Sequence, residues 1–557
     1  MVLAQNSTFT NPVLPGFYPD PSCIFVQELN HTLFCASSSF LAFPGLPITA
    51  SQNLQDWSLI SNAFSRQDQL PDFAGPLTET GGIWAPTLRF RNGTFFLTST
   101  LVLDYLPVND SSRWRNFILT TTDPYNSLSW SQPLFFEANG YDSSLFWDSD
   151  GQTYVTWAGY PDVLPGIFQA VIDLKTGEIG QALNIWNGTG GEAPEGPHIY
   201  RKDGFYYLMI AEGGTFLGHM ETIARSRNVN GPYEPNPGNP ILTNANTTEY
   251  FQAVGHADLF QDVIKNWWGV GHAIRINFDN KAIPMGRETV LFPVTWDTGE
   301  WPVMSPVRGR MSGWASPSPV NNLVHSYTTV VVDDNIDFVK KERPKHLVHW
   351  RYPNDTLYNF TPTEEHCGLQ LLPSAGNLSS TKYNDGASDA VTLLLRRQSH
   401  SFFTFSVDFD ISHMSDVDEV GATVFISEAT HFSLGITQPA SAETNGTARK
   451  AAQLRFRGNY NDVSTERVVP TMLLPVLEEQ RMTLEIKACN TTHYAFSASP
   501  TAHQSAMKIV DYAPAALLRP IFTGALVGIY ATSNGENSRG HICIPGWRYQ
   551  GDGQLRD

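Results

Sequence analysis

Short apolar and aromatic runs, broken every few positions by Gly, Pro, Asn or Asp, cover nearly the whole chain, and stretches with a helical period are scarce. This pattern predicts a mostly β protein. In the first half one unit recurs: an apolar strand, a turn, then an aromatic-rich strand. Its turn-and-strand pieces are NHTLFCASS from Asn30, NGTFFLTST from Asn92, DGQTYVTWA from Asp150, DGFYYLMIA from Asp203 and NWWGVGHA from Asn266. Asn-Gly and Asp-Gly at three of these turns are strong hairpin signals, because tight hairpin turns need positive φ. The turns come roughly every fifty to sixty residues, a little longer than the usual propeller period. Five repeats of a small antiparallel sheet predict a five-bladed β-propeller, whose sheets pack radially around a central channel.

From about Leu347 the character changes. HLVHWRYPND, VTLLLRRQSHSFFTFSVDFDI and EVGATVFISEATHFSLGI alternate apolar and polar positions, which predicts a jelly-roll-like β-sandwich. The expected fold class is therefore all-β, with a propeller over residues 1–322, a linker over 323–344 and a sandwich over 345–557. A chain of 557 residues is too long for a single core, in keeping with this division.

The phase of the repeat carries more than its length. Roughly eight to ten residues before each turn, where the preceding strand should begin, stand Asp20, Trp84, Asp142, Glu195 and His256. If that strand is the innermost of its blade, three carboxylates, an imidazole and an indole from distant parts of the chain converge at one mouth of the channel. Two carboxylates facing a sugar are the minimal apparatus for glycoside hydrolysis, one protonated and one ionised. A third nearby raises the acid's pKa by like-charge repulsion. Glu195 has the longer reach and a loop shaped by Pro194, Gly196 and Pro197, which suits a general acid. Asp20, fixed between Pro19 and Pro21, suits a general base holding one water. Asp142 is then the pKa modulator and substrate-orienting group.

Each residue has a plainer alternative. Asp20 suits an Asx turn or a strand-entry cap, Asp142 a turn cap, and Glu195 an exposed loop acid. Their shared phase favours the catalytic assignment, since independent turn formers have no reason to align. Trp84 is either a sugar-stacking face or core filling. Phe43 is a further aromatic candidate for the sugar surface. His256 is either a satisfied core residue or a group that binds water or a cation in the channel, although no second metal ligand stands beside it. Arg287 is a candidate donor to sugar hydroxyls, its alternative being a pair with Glu288 or another acid.

Composition narrows the partners. Charged residues are 16% against a typical ~25%, and aromatics are 12%, a surface suited to uncharged polar ligands such as sugars. The net charge of −18, without a basic cluster, disfavours nucleic acid. No apolar run approaches the ~18–20 residues that span a bilayer. Eleven N-x-S/T triplets (Asn6, Asn30, Asn92, Asn109, Asn187, Asn246, Asn354, Asn359, Asn377, Asn445 and Asn490) favour a secreted, glycosylated protein. The start MVLAQNSTF has no basic n-region or full apolar h-region, as expected of a chain without its secretion signal. Of the five cysteines, Cys23–Cys35 and Cys489–Cys543 are the candidate pairs, and none has metal-ligand spacing.

The segments NPVLPGFYPDPS, GGIWAPTLRF, YDSSLFWDSDG, EGPHIYRKDGFYYLMIAEGGT, GHADL and MGRETVLFPVTW together resemble glycoside hydrolase family 43, in order and at every blade. The resemblance implies a five-bladed propeller and an inverting mechanism without a required cofactor. It makes Asp20 the base, Asp142 the modulator, Glu195 the acid and Arg287 the arginine of the sugar-binding subsite. It matches His256 to a channel histidine that in relatives often contacts a water or a calcium ion. The second half looks like the C-terminal domain of the family's larger members. The expected substrate is arabinoxylan, trimmed of α-L-arabinofuranose, or xylo-oligosaccharides shortened by a β-xylosidase. A non-catalytic carbohydrate-binding propeller is the third reading, and the expected state is a monomer.

Overall fold

The computed structural model describes residues 7–276, 281–315, 328–331, 333–339, 342–362, 367–380, 390–437, 443–444, 447–448, 451–460, 463–468, 474–475 and 480–557. The chain forms two compact units. One comprises Met1–Ile276, Gly286–Val330 and Arg556–Asp557; the other comprises Asn277–Met285 and Val331–Leu555. Of the expected linker, residues 323–327, 332, 340 and 341 lie outside the described set, as do the sequons at Asn6 and Asn445.

The first unit is a five-bladed propeller. Its blades are antiparallel sheets whose inner strands are Ser22–Val26, Thr87–Arg91, Tyr141–Trp147, Glu195–Lys202 and Phe251–Gln261. Each inner strand touches the inner strands of the neighbouring blades, so they ring the channel. The hairpins form where their turn residues demand: Asn92 and Gly93 have φ of 50° and 79°, and Asp203 and Gly204 have φ of 51° and 77°. Within this unit Ser7–Thr10 pairs with Arg310–Gly313, and Thr328–Thr329 adds to the outer strand Ser58–Phe64. Between blades the sheets bury aromatics, among them Trp57, Tyr207, Phe251 and Trp268 in one cluster.

Below the rim the inner strands carry a second polar layer. Asp258 pairs with Arg89 at 2.7 Å and accepts from Tyr200 Oη at 2.8 Å and Ser22 Oγ at 2.6 Å. Arg89 also reaches His198 Nδ1 at 3.1 Å. These links join the inner strands of blades 1, 2, 4 and 5. A buried charge set in this way is costly to break.

The second unit is a sandwich of two antiparallel sheets. One runs Leu369–Leu371, Ile542–Gly553, Phe402–Asp410, Arg481–Ala488, His493–Pro500 and Lys508–Pro514; the other contains Thr430–Thr437, Glu419–Ser427, Leu526–Thr532 and Thr392–Arg397 as neighbours. The period-two pattern is realised in Phe402–Asp410, where Phe403, Phe405, Val407 and Phe409 are all buried in the core. Two disulfides form, Cys23–Cys35 and Cys367–Cys543. The second corrects the expected Cys489–Cys543 pair. Leu369–Leu371 pairs beside Cys543 and brings Cys367 to it, whereas Cys489 lies exposed just past the end of Arg481–Ala488. Among the described residues no helix is long and apolar enough to cross a membrane.

Candidate active site

The segment that carries Asp20 is stitched to blade 5. Leu14 bridges to Thr289, the Gly16 N–H donates to Glu288 Oε1 at 2.7 Å, and the Thr289 hydroxyl donates to the Tyr18 carbonyl at 2.7 Å. Asp20 Oδ1 then accepts from Arg287 Nη1 at 2.7 Å and from His272 Nδ1 at 2.9 Å, and Oδ2 accepts from the Ser38 hydroxyl at 2.5 Å. The two flanking prolines fix the backbone that these contacts grip. Arg287 therefore pairs with Asp20 rather than with Glu288, which is held by Arg275 at 2.6 Å.

Four blades repeat one local device. Ser22, Ser144, His198 and Asp258 begin the regular pairing of their inner strands, opposite Ala36, Thr156, Met209 and Val270. Two residues before them stand Asp20, Asp142, Gly196 and His256, all left-handed, with φ of 52°, 54°, 57° and 49°. In blades 3, 4 and 5 the register slips at this point, which is a β-bulge. A bulge turns the strand end and re-aims its side chain, here at the rim of the channel. In blade 4 the slot holds glycine because a Cβ there would lie 3.1 Å from His256 Cε1. The acid of that blade, Glu195, sits one residue earlier, opposite Ala211.

Glu195 is placed by its loop. The buried carboxylate of Glu212 accepts the N–H groups of Thr189 and Gly191 at 3.0 Å and the hydroxyl of Thr222 at 2.5 Å, which ties down the run into Pro194 and Glu195. The Tyr141 hydroxyl donates to Glu195 Oε2 at 3.3 Å, and the Gly196 N–H donates to Asp142 Oδ2 at 3.2 Å. Asp20, Asp142 and Glu195 are all buried, and each lies within electrostatic range of Arg287.

Their ionisation differs accordingly. Burial alone would raise the pKa of Asp20, but Arg287, then His256 and His272, outweigh it and hold the carboxyl well below its ordinary range. Glu195 is pushed up to about 7 by burial and by the charge on Asp20, against smaller pulls from Arg287 and Tyr141. Asp142 is also raised, by burial and by repulsion from Glu195 and Asp20. Below about pH 7 the site thus holds an ionised Asp20 facing protonated Glu195 and Asp142. Burial keeps the imidazoles of His256 and His272 below their ordinary range, the latter at about 4.

The remaining candidates fall in two groups. His256 Nδ1 lies 3.9 Å from Asp20 Oδ1, at the site. Calcium takes about six to eight oxygen ligands. Of the side chains beside His256, the Asp20 carboxylate is already engaged, its two oxygens accepting from Arg287, His272 and Ser38. Among the described residues no group of three or more His, Cys, Asp or Glu is arranged to hold a metal ion. Trp84 is half-buried, donates its indole N–H to the Thr80 carbonyl at 2.8 Å and meets Tyr141 edge-on at 5.1 Å, which backs the phenol that reaches Glu195. Phe43 is buried, packed edge-on against Phe64 at 5.2 Å. Sequence reasoning missed Ser38, Tyr141, Glu212 and His272. Ser38 and His272 lie beyond the inner strands that define the repeat's phase, and only pairing register could have located them.

An ionised carboxylate and a protonated one, buried together at a propeller rim, are the apparatus of a glycoside hydrolase. The chain belongs to glycosyl hydrolases family 43, whose pattern residues 9–302 match. Residues 335–550 match the family described as a beta xylosidase C-terminal Concanavalin A-like domain. A non-reducing end alpha-L-arabinofuranosidase of Bacteroides ovatus is 32% identical over 539 residues, 96% of this chain and 93% of that protein. A xylosidase/arabinosidase of Butyrivibrio fibrisolvens is 30% identical over 555 residues, 97% of each chain. The structure of the Bacillus licheniformis protein BlXynB superposes with a TM-score of 0.82 at 26% identity, covering 98% of this chain and all of that one.

Proposed function

We propose that the protein is an exo-acting, inverting α-L-arabinofuranosidase that releases terminal arabinofuranose side chains from arabinoxylan. The observation that carries the chemistry is the opposite ionisation of two buried carboxyls: Asp20 held charged, Glu195 pushed up to about 7. Asp20 takes a proton from a water as that water's oxygen bonds to the anomeric carbon. Glu195 gives its proton to the departing glycosidic oxygen as the carbon–oxygen bond breaks. Asp142, itself biased toward its neutral form, orients the sugar, while the charge on Asp20 helps Glu195 keep its proton. Arg287 secures the base and lies beside the sugar. One displacement from the opposite face inverts the anomeric centre.

The choice of arabinofuranose rests on similarity to the Bacteroides ovatus enzyme across nearly the full length of both chains. An exo-β-1,4-xylosidase is the second reading, favoured by the double name of the Butyrivibrio fibrisolvens relative. Proton NMR of fresh digests of arabinoxylan and xylobiose decides between them, because it reports the sugar released and its first anomer together. β-Arabinose appearing first from arabinoxylan is the expected result. Xylose alone favours the second reading, and a retained anomer rules out this mechanism. Binding without release of any pentose leaves a non-catalytic carbohydrate-binding propeller.

The same proposal makes the protein a secreted glycoprotein. In support, the sequon asparagines at 30, 92, 109, 187, 246, 359 and 490 are exposed, and those at 354 and 377 are partly so. A shift in mass on treatment with an endoglycosidase, after expression with its secretion route intact, is the check.

A further inference from the structure

The base is gripped by a residue that the three-carboxylate scheme does not use. His272 lies on Trp267–Arg275, the second strand of blade 5, fully buried opposite Gly255, with its Nδ1 2.9 Å from Asp20 Oδ1. Its ring is stacked on that of His219 at 4.9 Å between centroids and 6° between planes. His219 is fastened in turn, its Nδ1 hydrogen-bonded to the Gly214 carbonyl in the loop after Glu212. Gly255 lies against this stack: a Cβ there would come within 2.3 Å of His219 Cδ2. The imidazole pair thus has almost no freedom to turn.

We propose that His272, backed by the stacked ring of His219, is a positioning residue that fixes the carboxylate of Asp20 for attack by water. The inference rests on the catalytic reading of Asp20. Arg287 and His272 converge on the same oxygen, Oδ1, from different strands. Two donors on Oδ1 from different directions, with the Ser38 hydroxyl on Oδ2, define the carboxylate's orientation more tightly than Arg287 and Ser38 alone. Oδ2, which accepts from the Ser38 hydroxyl, is then the oxygen left to receive the water's proton. For this task the ring must stay neutral with its proton on Nδ1. Burial and the nearby Arg287 and His256 favour that state, against the pull of Asp20 itself. The other charged groups facing Asp20 are Glu195 and Asp142, both biased toward their neutral forms.

Two substitutions separate this role from packing. His272→Phe keeps a flat ring to stack on His219 but loses the donor. His272→Asn loses the ring but places an amide N–H near the position of Nδ1. The expected result is that kcat falls about a hundredfold in His272→Phe with KM nearly unchanged, the loss typical of a reacting group displaced by about an ångström. His272→Asn should recover most of that loss even where its thermal unfolding midpoint is the lower of the two. Equal activity in His272→Phe and wild type, or rescue by Phe and not by Asn, overturns the proposal. If the wild type releases no pentose from any glycoside, the catalytic reading fails by itself. Crystals of His272→Phe then decide the remaining point: an Asp20 carboxylate in its wild-type orientation overturns the proposal, and one rotated about Arg287 supports it.

Discussion

Arg287 donates to Oδ1 of Asp20 at 2.7 Å with both side chains buried, while its chain neighbour Glu288 turns to Arg275. Adjacent residues on one strand thus serve two different ion pairs, and only the first reaches the chemistry. Arg287 lowers the pKa of Asp20 and opposes the rise in Glu195. Removing its charge in Arg287→Gln therefore raises both. The expected outcome is a pH profile of kcat/KM whose acidic and basic limbs both move upward. Activity should fall about a hundredfold or more, because truncating one partner of a buried, hydrogen-bonded charge pair costs about 2–5 kcal/mol. One limb staying in place would show that Arg287 acts on only one of the two carboxyls.

Glu195 is assigned the proton for the leaving group. Glu195→Ala should lose about 10²–10⁴-fold on arabinoxylan side chains, the usual worth of general acid catalysis. On an aryl arabinofuranoside, whose phenolate leaves without a proton, the loss should be much smaller. Comparing kcat/KM on the two substrates measures the difference. An equal loss on both contradicts the assignment and points to a role in binding.

Much of this site was legible because blades repeat. Asp20, Asp142 and Glu195 lie at the start of their inner strands, where the phase of the hairpin turns places them, and His256 lies at a bulge within its own. Trp84 shared the phase but not the outcome. Its indole binds Thr80 and packs on Tyr141 and Trp114, and no left-handed residue of this kind occurs in blade 2. What the sequence could not convey was the bulge. Left-handed backbone at Asp20, Asp142 and His256 is a local strain of roughly 1–3 kcal/mol per residue, set by tertiary packing and not by propensity. Nor could it convey contacts made across the closed ring. Asp20 and His272 are 252 positions apart, and Cys367 and Cys543 are 176 apart.

In the proposed mechanism Glu195 also links catalysis to stability. Its pKa rises from a reference of 4.5 to about 7 on folding, so the folded protein binds the proton more tightly than the unfolded chain. The stability this contributes is fully present below 4.5 and is lost as pH rises through about 7. Glu195→Gln mimics the protonated side chain and does not titrate. Its unfolding midpoint relative to wild type should therefore rise between pH 5 and pH 8, while activity on unactivated substrate stays low. The basic limb of the wild-type kcat/KM profile should fall in the same interval. Asp20 shifts in the opposite sense, so its contribution is lost only as pH falls below the ordinary carboxylate range, and it adds no slope here. Parallel unfolding curves for the two proteins at both pH values would show that Glu195 is ionised in the fold throughout, and so is no general acid.

Gly196 tests whether the bulges, and not only the acids, make the site. It occupies the slot held by Asp20, Asp142 and His256 in other blades, with φ of 57°, and an added Cβ meets the His256 ring at 3.1 Å. Gly196→Ala imposes a left-handed cost of about 1–2 kcal/mol and forces the imidazole to give by a few tenths of an ångström. The Gly196 N–H, which donates to Asp142 at 3.2 Å, and the adjacent Glu195 should shift together. The expected outcome is a modest loss of stability with a disproportionate loss of kcat, about tenfold or more, since small displacements of reacting groups are costly. Thermal unfolding and steady-state kinetics on one preparation separate the two effects. A variant that loses stability yet keeps kcat would mean that the bulge of blade 4 serves closure of the ring alone, and that Glu195 is placed by its Glu212-anchored loop.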